Sequence, residues 1–89
     1  MTPEEEVRRA GKAREILDNE LFKEAISDIE EALKSARVNS AATAVDLREK
    51  LWAQEVALYT VVRNIRTHIE TGEMAQQTLA EKAREFFNG

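Results

Sequence analysis

The sequence predicts an all-α fold, and three observations lead to this prediction. Apolar residues recur at steps of three and four along most of the chain, which places them on one face of a helix. Charged residues make up 34% of the 89 residues and aromatic residues 6%, a mixture typical of helical bundles with solvated outer faces. Capping residues also precede several of the periodic segments. We therefore expect one all-helical domain over residues 1–89.

The first helix is expected over Pro3–Asp18. Thr2 is a suitable N-cap, Pro3 suits the first helical position, and Glu5 follows the cap by three residues, as in a capping box. The apolar stripe of this helix is thin and is interrupted by Gly11. Because short helices with poor propensity are unstable alone, the first helix is expected to need a neighbour.

The second helix is expected from Glu20 to Arg37, because the apolar phase breaks at Asp18 and Asn19 is a favourable N-cap. Its apolar residues recur at alternating steps of four and three. They are Phe22, Ile26, Ile29, Leu33 and Ala36. The next segment, Val38–Ala42, is weakly periodic and short enough to reverse the chain. Helices two and three are therefore expected to form an antiparallel hairpin.

The third helix is expected over Thr43–Glu70, with a core stripe that faces the rest of the fold. This core stripe consists of Leu47, Leu51, Leu58, Val61, Val62, Ile65 and Ile69. Thr71 and Gly72 indicate the end of the helix, with the glycine as its C-cap, and a fourth helix is expected over Glu73–Phe87. The predicted architecture is a helical hairpin, at about 20–37 and 43–70, with shorter N- and C-terminal helices, completed as a bundle by oligomerisation.

A second stripe lies about a third of a turn from the core stripe on the same helix. It consists of Val45, Arg48, Trp52, Val56, Tyr59, Arg63 and Arg66. Aromatic and arginine side chains dominate binding hot spots, so the second stripe is the candidate interaction surface. It could be covered by helix one or four of the same chain, by another copy, or by an external ligand. Phe86 and Phe87 are a second candidate docking site, because both are costly to leave in water.

The residue types present exclude several functions. There is no cysteine and only one histidine, His68, so a thiolate or multi-histidine metal site is not expected. The three glycines are too scattered for a phosphate-binding loop. The net charge of -4 disfavours nucleic-acid binding, and no apolar run reaches the roughly 20 residues of a membrane span. We expect a non-enzymatic soluble protein with no catalytic, cofactor-binding or metal-ligating residues.

Three segments of the chain, Ile16–Ala25, Leu47–Trp52 and Ile69–Ala75, resemble small all-helical proteins of tailed bacteriophages. Those proteins are often encoded among head and packaging genes. They commonly carry Asn-Pro in the first segment, where this chain has Asn19 and Glu20, and the long helix commonly closes with a Thr-Gly or similar pair. The resemblance implies a phage accessory or structural protein that acts in the host bacterial cytoplasm or is associated with the virion, without a catalytic motif.

Two functions stay open from the sequence. The first is self-association and binding of a phage protein during particle assembly. The second is a host-directed antagonist, which would bind a bacterial defence protein or sequester a phosphorylated or nucleotide signal. In that case Arg48, Arg63 and Arg66 would pair with phosphate, and the neighbouring aromatic rings would stack on a base.

Overall fold

The computed structural model describes residues 1–88, and helices are the only regular secondary structure over that range. There are three of them: α1 (Pro3–Asp18), α2 (Glu20–Val38) and α3 (Val45–Asn88). The predicted all-α class is confirmed, although the number of helices differs from the prediction.

The first two helices begin at local capping residues. The Thr2 hydroxyl accepts a hydrogen bond from the Glu5 N–H at 3.2 Å, and Asn19 Oδ1 accepts one from the Phe22 N–H at 2.9 Å. Asn19 has an extended backbone, with φ -67° and ψ 126°, and this single residue separates α1 from α2. The predicted bounds of α1 and the predicted start of α2 are confirmed, while α2 ends one residue beyond Arg37.

The prediction of separate third and fourth helices is wrong. α3 is one helix of 44 residues that continues through Thr71, Gly72 and Glu73. Gly72 does not adopt the positive φ of a helix-ending glycine. It lies instead against α1, where a Cβ added to Gly72 would overlap the Ala10 Cβ and lie 3.1 Å from the Glu6 carbonyl oxygen. The glycine is therefore explained by a close approach of two helices and not by a helix end.

The described residues fall into two compact units. One, here called the α2 unit, is Asn19–Arg63 and contains α2 with the first part of α3. The other, here called the α1 unit, is Met1–Asp18 together with the chain from Asn64 onward.

Small residues pack the α1 unit. Ala10, Ala13 and Ala75 are 1%, 5% and 4% exposed, and Gly72 is also buried. Arg14 Nη2 lies 3.8 Å from a carboxylate oxygen of Glu73, as an exposed ion pair. Because side chains this small leave little space between backbones, α1 lies close to the part of α3 that belongs to this unit.

The α2 unit contains two buried leucines and an ion pair between its helices. Leu33 of α2 and Leu51 of α3 are buried. Arg37 Nη1 donates to both carboxylate oxygens of Glu55, at 2.6 and 2.8 Å, and the Glu55 side chain is only 19% exposed. The ion pair joins α2 to the first part of α3.

The core stripe is only partly buried. Leu51 is buried, and most of the residues that follow it on the stripe are half-buried. These are Leu58, Val62, Ile65 and Ile69. Leu47 and Val61 are exposed, at 47% and 53%, contrary to the prediction. Leu47 lies in the first turn of α3, and Val61 lies at the edge of the stripe in helical projection.

Candidate interaction surface

The apolar members of the second stripe are exposed in the structure. The exposed fractions are 57% for Val45, 65% for Trp52, 43% for Val56 and 53% for Tyr59. All four belong to the α2 unit. The described chain therefore does not bury Trp52 and Tyr59. The two rings lie about two turns apart on α3, with the exposed Val56 between them.

The arginines of the second stripe are divided between the two units. Arg48 and Arg63 are exposed residues of the α2 unit, whereas Arg66 is an exposed residue of the α1 unit. The structure thus brings Arg48 and Arg63 into the same unit as Trp52 and Tyr59, and Arg66 belongs to the other.

Arg48 has a partner in the turn that precedes α3. Its Nε donates to the Ser40 hydroxyl at 3.0 Å, and its Nη2 donates to the Ser40 carbonyl oxygen at 3.4 Å. The Ser40 hydroxyl in turn donates to the Arg37 carbonyl oxygen at 2.6 Å. Arg48 therefore ties the start of α3 to the end of α2, and its planar donor edge is occupied by the turn.

Glu49 belongs to the same face as the aromatic residues, and the sequence-based prediction omitted it. Along α3 the steps from Val45 to Glu49 and from Glu49 to Trp52 are four and three residues, and the same alternation continues to Arg63. This spacing keeps residues on one side of a helix. Glu49 is exposed. Extending the four-and-three spacing through charged positions would have found it.

Within the α2 unit this line of residues forms one exposed face, here called the contact face. The contact face consists of Val45, Glu49, Trp52, Val56, Tyr59 and Arg63. It has an apolar and aromatic centre, with one acidic residue towards its start and one basic residue at its end.

A small groove adjoins the contact face at Tyr59. Its volume is about 160 Å³. It is lined by Glu30, Leu33, Lys34, Arg37, Glu55, Leu58 and Tyr59. Ligand pockets are generally about 300 Å³ or larger, and Arg37 and Glu55 already satisfy each other here. Neither Arg48 nor Arg63 lines this groove, so it does not assemble the predicted phosphate-binding set.

Phe86 and Phe87 lie near the end of α3 and are 81% and 83% exposed. Their ring centroids are 5.4 Å apart and the rings are nearly perpendicular, at 86°. This edge-to-face contact is a favourable arrangement for two aromatic rings. The described chain does not cover either ring, and both stay a candidate docking site.

Metal-binding and membrane-spanning features are absent from residues 1–88. Over that range there is no cluster of three or more His, Cys, Asp or Glu side chains able to hold a metal ion. His68 is half-buried in α3. Within the same range, no helix combines the length and apolar character needed to cross a bilayer. The features that stand out are therefore exposed apolar rings and the charges beside them.

Comparison with known proteins does not assign this chain to a family. No protein-family model matches it, and neither a curated protein nor a solved structure matches it. The resemblance to tailed-phage proteins therefore depends on the three sequence segments alone.

Proposed function

We propose that this protein is a non-enzymatic bacteriophage protein that acts by self-association and protein binding in particle assembly. The observation that carries the proposal is the exposure of Trp52 and Tyr59 on one face of α3, with Val45 and Val56 in line with them. Single exposed apolar residues are ordinary on protein surfaces, whereas a contiguous apolar and aromatic line is typical of an interface. The phage setting is supported by the sequence resemblance only.

The proposed assembly is an antiparallel helical hairpin of α2 and the first part of α3, completed as a bundle by another copy. Applied to about 200 Å² per aromatic side chain, the exposed fractions leave roughly 240 Å² of aromatic surface per copy. A standard interface buries about 800 Å² per partner, so flanking side chains must contribute and weak association is expected. The assembly should therefore form at micromolar concentrations.

Equilibrium sedimentation of the full chain tests this function, at concentrations up to about 200 µM because the interface is small. The wild-type protein should form dimers or larger oligomers. The double variant Trp52→Ala/Tyr59→Ala should weaken association by several kcal/mol, the range of hot-spot residues. A wild-type protein that stays monomeric throughout would contradict the proposal.

Val61→Ala is the matched control for this experiment. Val61 and Tyr59 have the same exposed fraction, 53%, and both lie on α3. They are two residues apart, which is a rotation of about 200°, so they project from opposite sides of the helix. Val61→Ala should leave association unchanged. An equal loss in both variants would indicate a general destabilisation of α3 instead of a specific surface.

The alternative is a host-directed antagonist that binds a bacterial defence protein through the same rings. The version that sequesters a phosphorylated signal has less support, because Arg48 is engaged by Ser40 and Arg66 belongs to the other unit. A monomeric protein that captures a bacterial protein, and loses it on Trp52→Ala, would favour the alternative.

A further inference from the structure

We infer that the contact face binds a second copy of this chain in antiparallel orientation, with a two-fold axis at Val56. The inference rests on the proposed self-association and adds the orientation and the register of the two copies. A two-fold interface uses the same surface on both copies, so that surface must be complementary to itself. The contact face meets this requirement through its charges and its rings.

The charged residues of the contact face are placed symmetrically about Val56. Glu49 precedes Val56 by seven residues and Arg63 follows it by seven. Seven residues are about two helical turns, or roughly 10.5 Å along α3, so both side chains project from nearly the same side as Val56. Glu49 and Arg63 are both exposed. An antiparallel pair centred on Val56 sets each Glu49 opposite the second copy's Arg63, and this pairing occurs twice.

The aromatic residues fit the same register. Trp52 precedes Val56 by four residues and Tyr59 follows it by three. In the antiparallel pair, each Trp52 therefore lies within one residue, or about 1.5 Å along the axis, of facing the second copy's Tyr59. Two such aromatic pairs would cover the rings that the chain itself leaves exposed.

In a parallel pair in register, the charges of the contact face would repel each other, whereas in the antiparallel pair they attract. Each Glu49 would face Glu49, and each Arg63 would face Arg63, so like charges would meet at both ends of the contact. Glu55 is already paired with Arg37 within the α2 unit, so its charge is balanced there. Charge complementarity therefore selects the antiparallel pair.

Charge reversal tests the pairing of Glu49 with Arg63. Glu49→Arg and Arg63→Glu should each weaken self-association by about tenfold, because each change sets like charges together at both ends. The double variant Glu49→Arg/Arg63→Glu should recover the wild-type affinity, because the pairs re-form with reversed polarity. Sedimentation at about 50 mM salt limits screening. Single variants that associate like the wild type would overturn the pairing.

Single cysteines test the orientation directly, because the chain contains no cysteine of its own. Val56→Cys and Val45→Cys are a matched pair on the contact face. In the antiparallel dimer the two thiols of Val56→Cys meet at the axis, whereas the two thiols of Val45→Cys are about 33 Å apart along it. A disulfide requires Cβ atoms about 4 Å apart. Under mild oxidation, only Val56→Cys should give a covalent dimer.

The outcomes separate this inference from the proposed function. Disulfide formation by both variants would indicate a parallel pair, and would overturn the antiparallel inference while supporting self-association. A wild-type dimer in which neither variant forms a disulfide would place the axis elsewhere and would also overturn the inference. A monomeric wild-type protein would contradict self-association itself.

Discussion

Gly72 allows α1 and α3 to approach closely within the α1 unit, and its replacement should be costly. In Gly72→Ala the new methyl group would overlap the Ala10 Cβ and crowd the Glu6 carbonyl oxygen. Alanine is favoured over glycine in a helix by about 1 kcal/mol, but overpacking a tight contact generally costs more. We expect Gly72→Ala to lower the free energy of unfolding by about 1–3 kcal/mol, measured in urea.

Gly11→Ala is the control for this prediction. A Cβ at Gly11 meets nothing within 4 Å, and Gly11 is also inside a helix. Its replacement should raise the free energy of unfolding by about 0.5–1 kcal/mol through helix propensity alone. If Gly72→Ala were stabilising to the same extent, the close contact with Ala10 would be contradicted.

The start of α2 depends on one side chain. Asn19 Oδ1 accepts from the Phe22 N–H, which would otherwise have no partner in the first turn. Asn19→Ala should lower the free energy of unfolding by about 1 kcal/mol, the usual cost of losing an N-cap. Urea unfolding, monitored by circular dichroism, measures this change in the free energy of unfolding. Asn19→Asp, which keeps an acceptor oxygen, should stay close to the wild type, and equal losses in both variants would argue against the cap.

The first two helices could be predicted from the sequence because their boundaries are local. Thr2 and Asn19 each cap a helix through a backbone N–H three residues away, so a short window of sequence contains the whole signal. The continuation of α3 could not be predicted this way. A glycine serves equally as a C-cap and as a point of close approach, and the choice at Gly72 depends on Ala10, far earlier in the chain.

The candidate site was predictable in part for a similar reason. Helical spacing identifies Trp52, Val56 and Tyr59 as one face, but exposure depends on where the other helices pack. The partner of Arg48 was also beyond the sequence signal. A long arginine side chain has several acceptors within reach, and only the folded turn places Ser40 beside it. The spacing of residues therefore predicts which side of a helix a side chain projects from. Whether another helix covers that side chain depends on the tertiary fold.

The described molecule has few large side chains in its interior. Its buried apolar residues are Ala10, Ala13, Leu33, Leu51 and Ala75. Only the two leucines are sizeable, and a chain of 89 residues already buries a limited fraction of its surface. The free energy of unfolding is therefore expected to lie at the low end of the range for single domains. Burial between copies would add to it.

Association should make the melting temperature depend on protein concentration, because a partner that binds only the folded chain stabilises it. Above the dissociation constant, a tenfold increase in concentration should raise Tm by about 3–6 °C for a domain of this size. Trp52→Ala/Tyr59→Ala should remove this dependence and Val61→Ala should keep it. Scanning calorimetry at several concentrations measures the effect, and a wild-type Tm that does not change would contradict it.

Trp52 is the only tryptophan in the chain, and about two thirds of its surface is open to solvent. Because there is one tryptophan, the tryptophan fluorescence of the whole protein originates at the contact face. The indole emits at longer wavelength in water than in an apolar environment, so its emission changes when the ring is covered. The chain thus carries an intrinsic optical reporter at the location where a companion molecule would attach, and no dye or isotope has to be introduced to observe that encounter.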